Sequence, residues 1–211
     1  MSIKAVIYVF LMSCVMFSCT TRSHDNVQKV EHTLNVSSGT VDRYYVHSGD
    51  LECRYIDVWF PEDYSADKKY AVVYMHDGQM LFDVGNTWNL KEWKVDEAMT
   101  AISQSSDVRD AIVVGIYNNV QKRHNEDIPS AFLQYMSKNI PSSEGHKFYY
   151  DHGTVGLDFN YGTHQEKVDL LMEQSGYTSE NFCSKVFEGE DHNEDYWANR
   201  LNIPLTFLLK E

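Results

Sequence analysis

Two uninterrupted apolar runs constrain this chain most: Ala71-Val72-Val73-Tyr74-Met75 and Ala111-Ile112-Val113-Val114-Gly115-Ile116. A strand whose faces are both covered by helices has no solvent side to keep polar, so it reads as a continuous hydrophobic stretch. Between the runs, Val95, Ala98, Met99 and Ile102 recur at i, i+3, i+4 and i+7 and form one stripe of a helix. Strand, helix and strand in that order make a βαβ unit, which implies a parallel sheet and an α/β fold. Upstream, Arg43–Val46 and Cys53–Phe60 read as strands separated by the turn signal Ser48-Gly49-Asp50. In the second, Ile56, Val58 and Phe60 alternate with Tyr55, Asp57 and Trp59 until Pro61 ends the run, the period of a half-buried antiparallel strand. The expectation is an N-terminal antiparallel hairpin on the edge of a mostly parallel sheet.

The back half repeats the theme. Pro129 fits a first helical turn, and Phe132, Tyr135, Met136 and Ile140 share a face before Pro141. Lys147–Tyr150 is a short strand, Val168, Leu171 and Met172 mark a helix, and Gly176 stands where a left-handed cap is expected. Cys183–Phe187 is the last strand, followed by an acidic loop and a terminal helix from about Glu194. With 43% apolar residues and no repeats, residues 40–211 have the material for one domain. A net charge of -13 without a basic cluster leaves nothing to neutralise phosphates, which excludes nucleic acid as a partner.

The first residues give an address. Lys4 precedes an apolar run from Ala5 to Phe17, too short to span a bilayer, and Ser18-Cys19-Thr20 follows. Residues 1–18 therefore read as a lipoprotein signal peptide. Cys19 would be the lipidated first mature residue, carrying the chain to the bacterial cell envelope on a lipid anchor. Cys14 is the poorer site because cleavage there would cut the apolar run short. Residues 19–39, polar and without periodicity, are expected to be a tether. Cys53 and Cys183 remain in the body, where a pair of free thiols is favoured over a disulfide. The cluster His146, Asp151, His152 and the pair Asp191, His192 match no standard zinc spacing, so no metal is expected.

Three segments together resemble the esterase family related to esterase D and the feruloyl esterases. They are His76-Asp77-Gly78-Gln79-Met80-Leu81-Phe82-Asp83, Tyr150-Asp151-His152-Gly153-Thr154 with Asp158 downstream, and Phe187-Glu188-Gly189-Glu190-Asp191-His192. The resemblance runs from about Thr40 to the C-terminus and implies an α/β-hydrolase fold, hydrolysis of a carboxylic ester and no cofactor. It makes the substrate a small-molecule or polysaccharide ester, such as an acyl or feruloyl group on a polysaccharide. It implies that His192 is the general base and that Asp158 orients it, with Asp151 at the strand end as the competing carboxylate. Gly78 and Gln79 would form the oxyanion loop, whose backbone N–H groups can converge on one oxygen only if glycine permits the turn.

The chain departs from this family in one place. It contains no Gly-x-Ser-x-Gly, the strained strand-to-helix turn that presents a nucleophilic serine to base and oxyanion hole. The pattern breaks between about Arg123 and Asp127, where strands and helices of the parent fold should intervene. Ser130 and Ser175 stand on no such turn and are not substitutes. The expected architecture is thus a partial α/β-hydrolase with its central strands lost. Its unpaired sheet edges invite self-association. The expected function is that of an exported esterase relative, inactive in this form, with a noncatalytic binding lipoprotein or gene remnant as the rival reading.

Overall fold

The structure, a computed structural model, describes residues 26–48, 51–105, 107–118 and 129–210. Cys14, Cys19 and the apolar run, as well as the junction between Arg123 and Asp127, lie outside these residues.

Three strands, β1 (Asn26–Val30), β2 (Thr40–Ser48) and β3 (Leu51–Phe60), form an antiparallel meander, and β3 pairs antiparallel with β5 (Ala111–Ile116). The parallel unit follows: β4 (Ala71–Met75) pairs with β5 residue for residue, Ala71 opposite Ala111 and Met75 opposite Gly115. Helix α1 (Val95–Ile102) connects them and buries Val95, Met99 and Ile102, the stripe seen in the sequence. The sheet order is β1-β2-β3-β5-β4.

The stretch expected to be a tether carries structure from Asn26 onward. Val27 pairs with Val46 and Lys29 with Tyr44, so the antiparallel part has three strands and not a hairpin's two. Beyond β1, the backbone N–H and hydroxyl of Ser37 both donate to Asp96 Oδ2, at 2.6 and 2.8 Å, and Leu34 and Val36 pack on the core. Backbone pairing and a buried acceptor, neither visible as periodicity, hold this polar segment.

On β3 the core-facing side is the one with the polar member. Asp57 and Trp59 are buried, at 0% and 2% exposure, while Ile56, Val58 and Phe60 are half-buried on the other face. Trp59 fills the core beside Val113, and Asp57 is neutralised there by a bidentate pair with Arg43, both bonds at 2.7 Å. Tyr117 closes the group by donating its hydroxyl to Asp57 Oδ2 at 3.0 Å.

The second half folds around its own parallel pair, β6 (Phe148–Gly153) and β7 (Phe182–Phe187). Helices α2 (Pro129–Asn139) and α3 (Gly162–Gln174) cover it through Met136, Val168, Met172 and Tyr177. On α2 Tyr135 lies outside this contact face, at 65% exposure, and Leu133 joins Met136 and Ile140 instead. Gly176 takes φ +84°, the left-handed cap expected after α3.

The C-terminal helices α4 (Glu194–Arg200) and α5 (Asn202–Leu209) join the halves. Leu201, Leu205 and Leu209 belong to the same core as Val95 and Met99, while Phe207 lies against Tyr149 of β6 at 6.2 Å between ring centres. No described strand lies between β4 and β6, which end their respective sheets. Over the described residues the architecture is thus mixed α/β with two separate sheets, which agrees with the partial α/β-hydrolase expected from the sequence.

Candidate active site

Two loops at the ends of β6 and β7 are laced together by backbone groups. The amides of Thr154 and Val155 donate to Glu190 O at 2.9 and 3.2 Å, and Gly189 N donates to Thr154 Oγ1 at 2.9 Å. Gly153 is required at this crossing because a Cβ there would run into Glu190 O. Asp191 locks the second contact: its Oδ1 accepts from Leu157 N at 3.2 Å and from His192 N at 2.7 Å. Gly156, at φ +59°, passes so close to that carboxylate that no side chain fits.

This lacing brings Asp158 and His192 together. Asp158 sits in the 3-10 turn Gly156–Asn160, 2% exposed, and its Oδ2 accepts from Gly153 N at 2.6 Å. Its Oδ1 lies 2.8 Å from His192 Nδ1. With the Nδ1 proton committed to the carboxylate, Nε2 is left as the proton acceptor. The imidazole is held between two rings, stacked on Tyr161 at 5.7 Å and edge-on to Trp197 at 4.6 Å. Asp151, the competing carboxylate, is engaged elsewhere, 2.8 Å from Arg200 Nη2, and Glu190 bonds the other arm of that guanidinium. Burial alone would lower the Arg200 pKa; its two carboxylate partners outweigh that and raise it.

The pair opens on a cavity of about 560 Å³. Tyr149, Tyr150, Asp151 and His152 of β6 form one wall, α3 contributes His164, Gln165 and Val168, and Trp93, Trp197, Arg200 and Leu201 form another. Among the described residues no serine, threonine or cysteine lines it. Burial, then Asp151, raises the Tyr149 pKa, so its phenol stays protonated.

Gly78 and Gln79 occupy a different place. They begin the 3-10 turn Gly78–Met80 after β4, where a Cβ on Gly78 would stand 2.6 Å from Gly115 O, so this glycine exists for close strand-to-turn packing. Asp77, in the left-handed region at φ 55°, bonds Asn118, and Gln79 Nε2 donates to Asp77 at 3.3 Å. Neither Gly78 nor Gln79 lines the cavity. The link between the turn and the histidine runs through Trp93, whose amide donates to Met80 O at 2.9 Å and whose ring lies 4.8 Å from Trp197.

The residues weighed as metal ligands are dispersed: His146 Nδ1 lies 2.9 Å from Ser142 O, and His152 Nδ1 lies 2.6 Å from Gly153 O. Among the described residues no group of three or more such side chains could hold a metal. Cys53 and Cys183 are free thiols, one exposed and one half-buried. No described helix is long and apolar enough to cross a membrane. Sequence reasoning did not find Tyr161, His164, Trp197 and Arg200 as cavity residues. Trp197 and Arg200 lay in the helix after His192, but nothing in a single sequence says which helix face meets a strand edge.

Residues 48–154 match the family described as Putative esterase, and the chain belongs to that family. The match ends four residues before Asp158 and does not reach His192. A similar solved structure is a serine-to-alanine mutant of the feruloyl esterase module from Clostridium thermocellum complexed with sinapinate. It is 12% identical at a TM-score of 0.43, over 87% of this chain and 93% of that one. No curated protein matches the sequence.

Proposed function

We propose that this chain is an exported, lipid-anchored esterase relative that keeps the base and its orienting carboxylate but has no nucleophile, and that it binds an ester-bearing ligand without turning it over. The observation that carries the reading is the 2.8 Å contact between His192 Nδ1 and Asp158 Oδ1, beside a cavity that no described serine, threonine or cysteine lines. In a complete enzyme of this class, His192 Nε2 would take the proton of a serine hydroxyl as it attacks the ester carbonyl and return it to the leaving alcohol. Backbone N–H groups of Gly78 and Gln79 would hold the oxyanion. Without the serine the first covalent step has no attacking atom. Aromatic walls suit an acyl or feruloyl ester carried by a polysaccharide, and the acidic surface suits an uncharged ligand better than an anionic one. Cys19 would hold the domain at the cell envelope through its lipidated thiol.

Hydrolysis of p-nitrophenyl acetate tests the reading. The purified chain should turn it over no faster than its His192→Ala variant. A rate well above that control, together with covalent labelling by a serine-directed phosphonate, would show that a nucleophile is present after all.

A further inference from the structure

We propose that the ester held in this cavity carries a positively charged nitrogen, a quaternary or protonated amine seated among aromatic rings. The inference rests on the reading that the cavity takes an ester it does not cleave, and it names that ester's charge. Five aromatic side chains line the cavity: Tyr149 and Tyr150 from β6, Tyr161 just after the turn that bears Asp158, and Trp93 and Trp197. Tyr161 and Trp197 hold His192 between them, and the Trp93 ring lies 4.8 Å from that of Trp197, so the rings adjoin the imidazole that an ester would face. The negative face of a π-system attracts a cation, most strongly at tryptophan and where water is excluded. Rings alone would take a neutral aromatic group as well; the charges around them decide.

With histidines counted neutral, the charged side chains lining the cavity among the described residues are Asp151, Asp158 and Arg200. Arg200 faces two carboxylates at once: its Nη2 lies 2.8 Å from Asp151, and its Nη1 bonds Glu190. Its single positive charge is therefore outweighed, and Asp158 adds a carboxylate whose side-chain partner is an imidazole. Three carboxylates against one guanidinium leave this wall negative. A cleft of one sign with low-dielectric walls focuses its field on whatever enters. An anionic ligand is repelled and a neutral ester gains little, whereas a cation is drawn in by the carboxylates and the rings together. Residues 119–128, outside the described structure, bring Lys122 and Arg123 but also Glu126 and Asp127, so they do not reverse the sign wherever they lie. The net charge of -13 acts in the same direction from further away.

Acetylcholine and 3,3-dimethylbutyl acetate test it, because the two esters have nearly the same shape and only the first is charged. Titrated into the full chain and followed by calorimetry, acetylcholine should bind about tenfold more tightly than its neutral counterpart, and tetramethylammonium should compete with it. The imidazole proton resonances of His192, assigned by their loss in His192→Ala, should move as the site fills. Tyr161→Leu removes a ring from the cavity, and Asp151→Asn removes a charge while keeping an acceptor for Arg200. Each should cut the preference for the cation about threefold and leave the affinity for the neutral ester unchanged. Should both variants unfold, the comparison of the two esters on the unaltered chain still decides. The proposal is overturned if the two esters bind alike, if neither binds, or if acetylcholine binds without moving the His192 resonances. It also fails if both variants fold and keep the full preference. Hydrolysis of acetylcholine that is lost in His192→Ala would sink the noncatalytic reading instead and leave the charge preference standing, so the two failures are distinguishable.

Discussion

Asp158 shows how much one side chain carries. Its two oxygens satisfy a backbone amide and an imidazole at once, in a site only 2% exposed. Asp158→Ala should therefore cost about 1–3 kcal/mol, the desolvation penalty of a buried donor left without its acceptor. Urea denaturation measures that loss, and the Gly153 amide should exchange faster in the variant; an unchanged midpoint would mean that Gly153 N finds water. Gly153→Ala should be at least as damaging, because its new Cβ meets the Glu190 carbonyl and pulls the two loops apart. The sequence made Asp158 and His192 readable only through resemblance to a family, since a histidine among Glu190, Asp191 and Glu194 otherwise looks like solvated surface. The lacing of their loops through Glu190 O and Asp191 Oδ1 left no trace, because backbone crossings carry no side-chain pattern.

Among elements, the legible parts were those whose period is set by burial. The α1 stripe and the β4 and β5 runs fall where the periodicity puts them, because apolar burial dictates both pattern and place. β3 was readable as a strand but not in its facing, since Asp57 looks like a solvent residue until Arg43 of the neighbouring strand neutralises it. Removing one partner should be costly: Asp57→Ala leaves a guanidinium buried without its charge partner and should lose about 3–5 kcal/mol, whereas Arg43→Met with Asp57→Leu should recover most of it. Chemical denaturation of the single and double variants decides, and equal losses would show that packing, not charge, dominates the site. At the start of α1, partial burial of an otherwise exposed side chain, with Asp96 and Glu92 beside it, pushes the Glu97 pKa up to about 6 from 4.5. A carboxyl whose folded pKa is raised favours the protonated folded state, so its penalty grows as pH rises from about 4.5 to 6 and is complete above that range. Glu97→Gln should raise the melting temperature at pH 7 and much less at pH 4.5. A variant less stable at pH 7 would mean that the negative charge serves the helix N-terminus more than it suffers from burial.

For the whole molecule the decisive fact is a sheet in two pieces. Among the described residues β4 ends one sheet, with Val72 at 44% and Tyr74 at 70% exposure, and β6 ends the other, so neither has a described strand along its outer edge. The junction between the pieces relies on α5, on the Trp93 to Trp197 contact and on the polar links Asn89 to Glu194 and Lys91 to Asp195, a thinner seam than a continuous sheet. A hydrophobic edge strand of this kind promotes association. The purified chain should therefore sediment with a concentration-dependent mass, and Tyr74→Lys, which places a charge on the exposed β4 face, should shift it toward monomer. Splicing a nucleophile segment from an intact family member between Arg123 and Ile128 should fill the break, giving a monomer with one sharp melt and a p-nitrophenyl acetate rate that vanishes in His192→Ala. Restored hydrolysis would require Gly78, Gln79 and the Asp158–His192 pair to share one reacting centre, although in the short chain the turn and the pair border different spaces. If the short chain is already a monomer with a single cooperative transition, and the insertion adds neither stability nor turnover, then the break between β4 and β6 is the native design of this fold and not a missing centre.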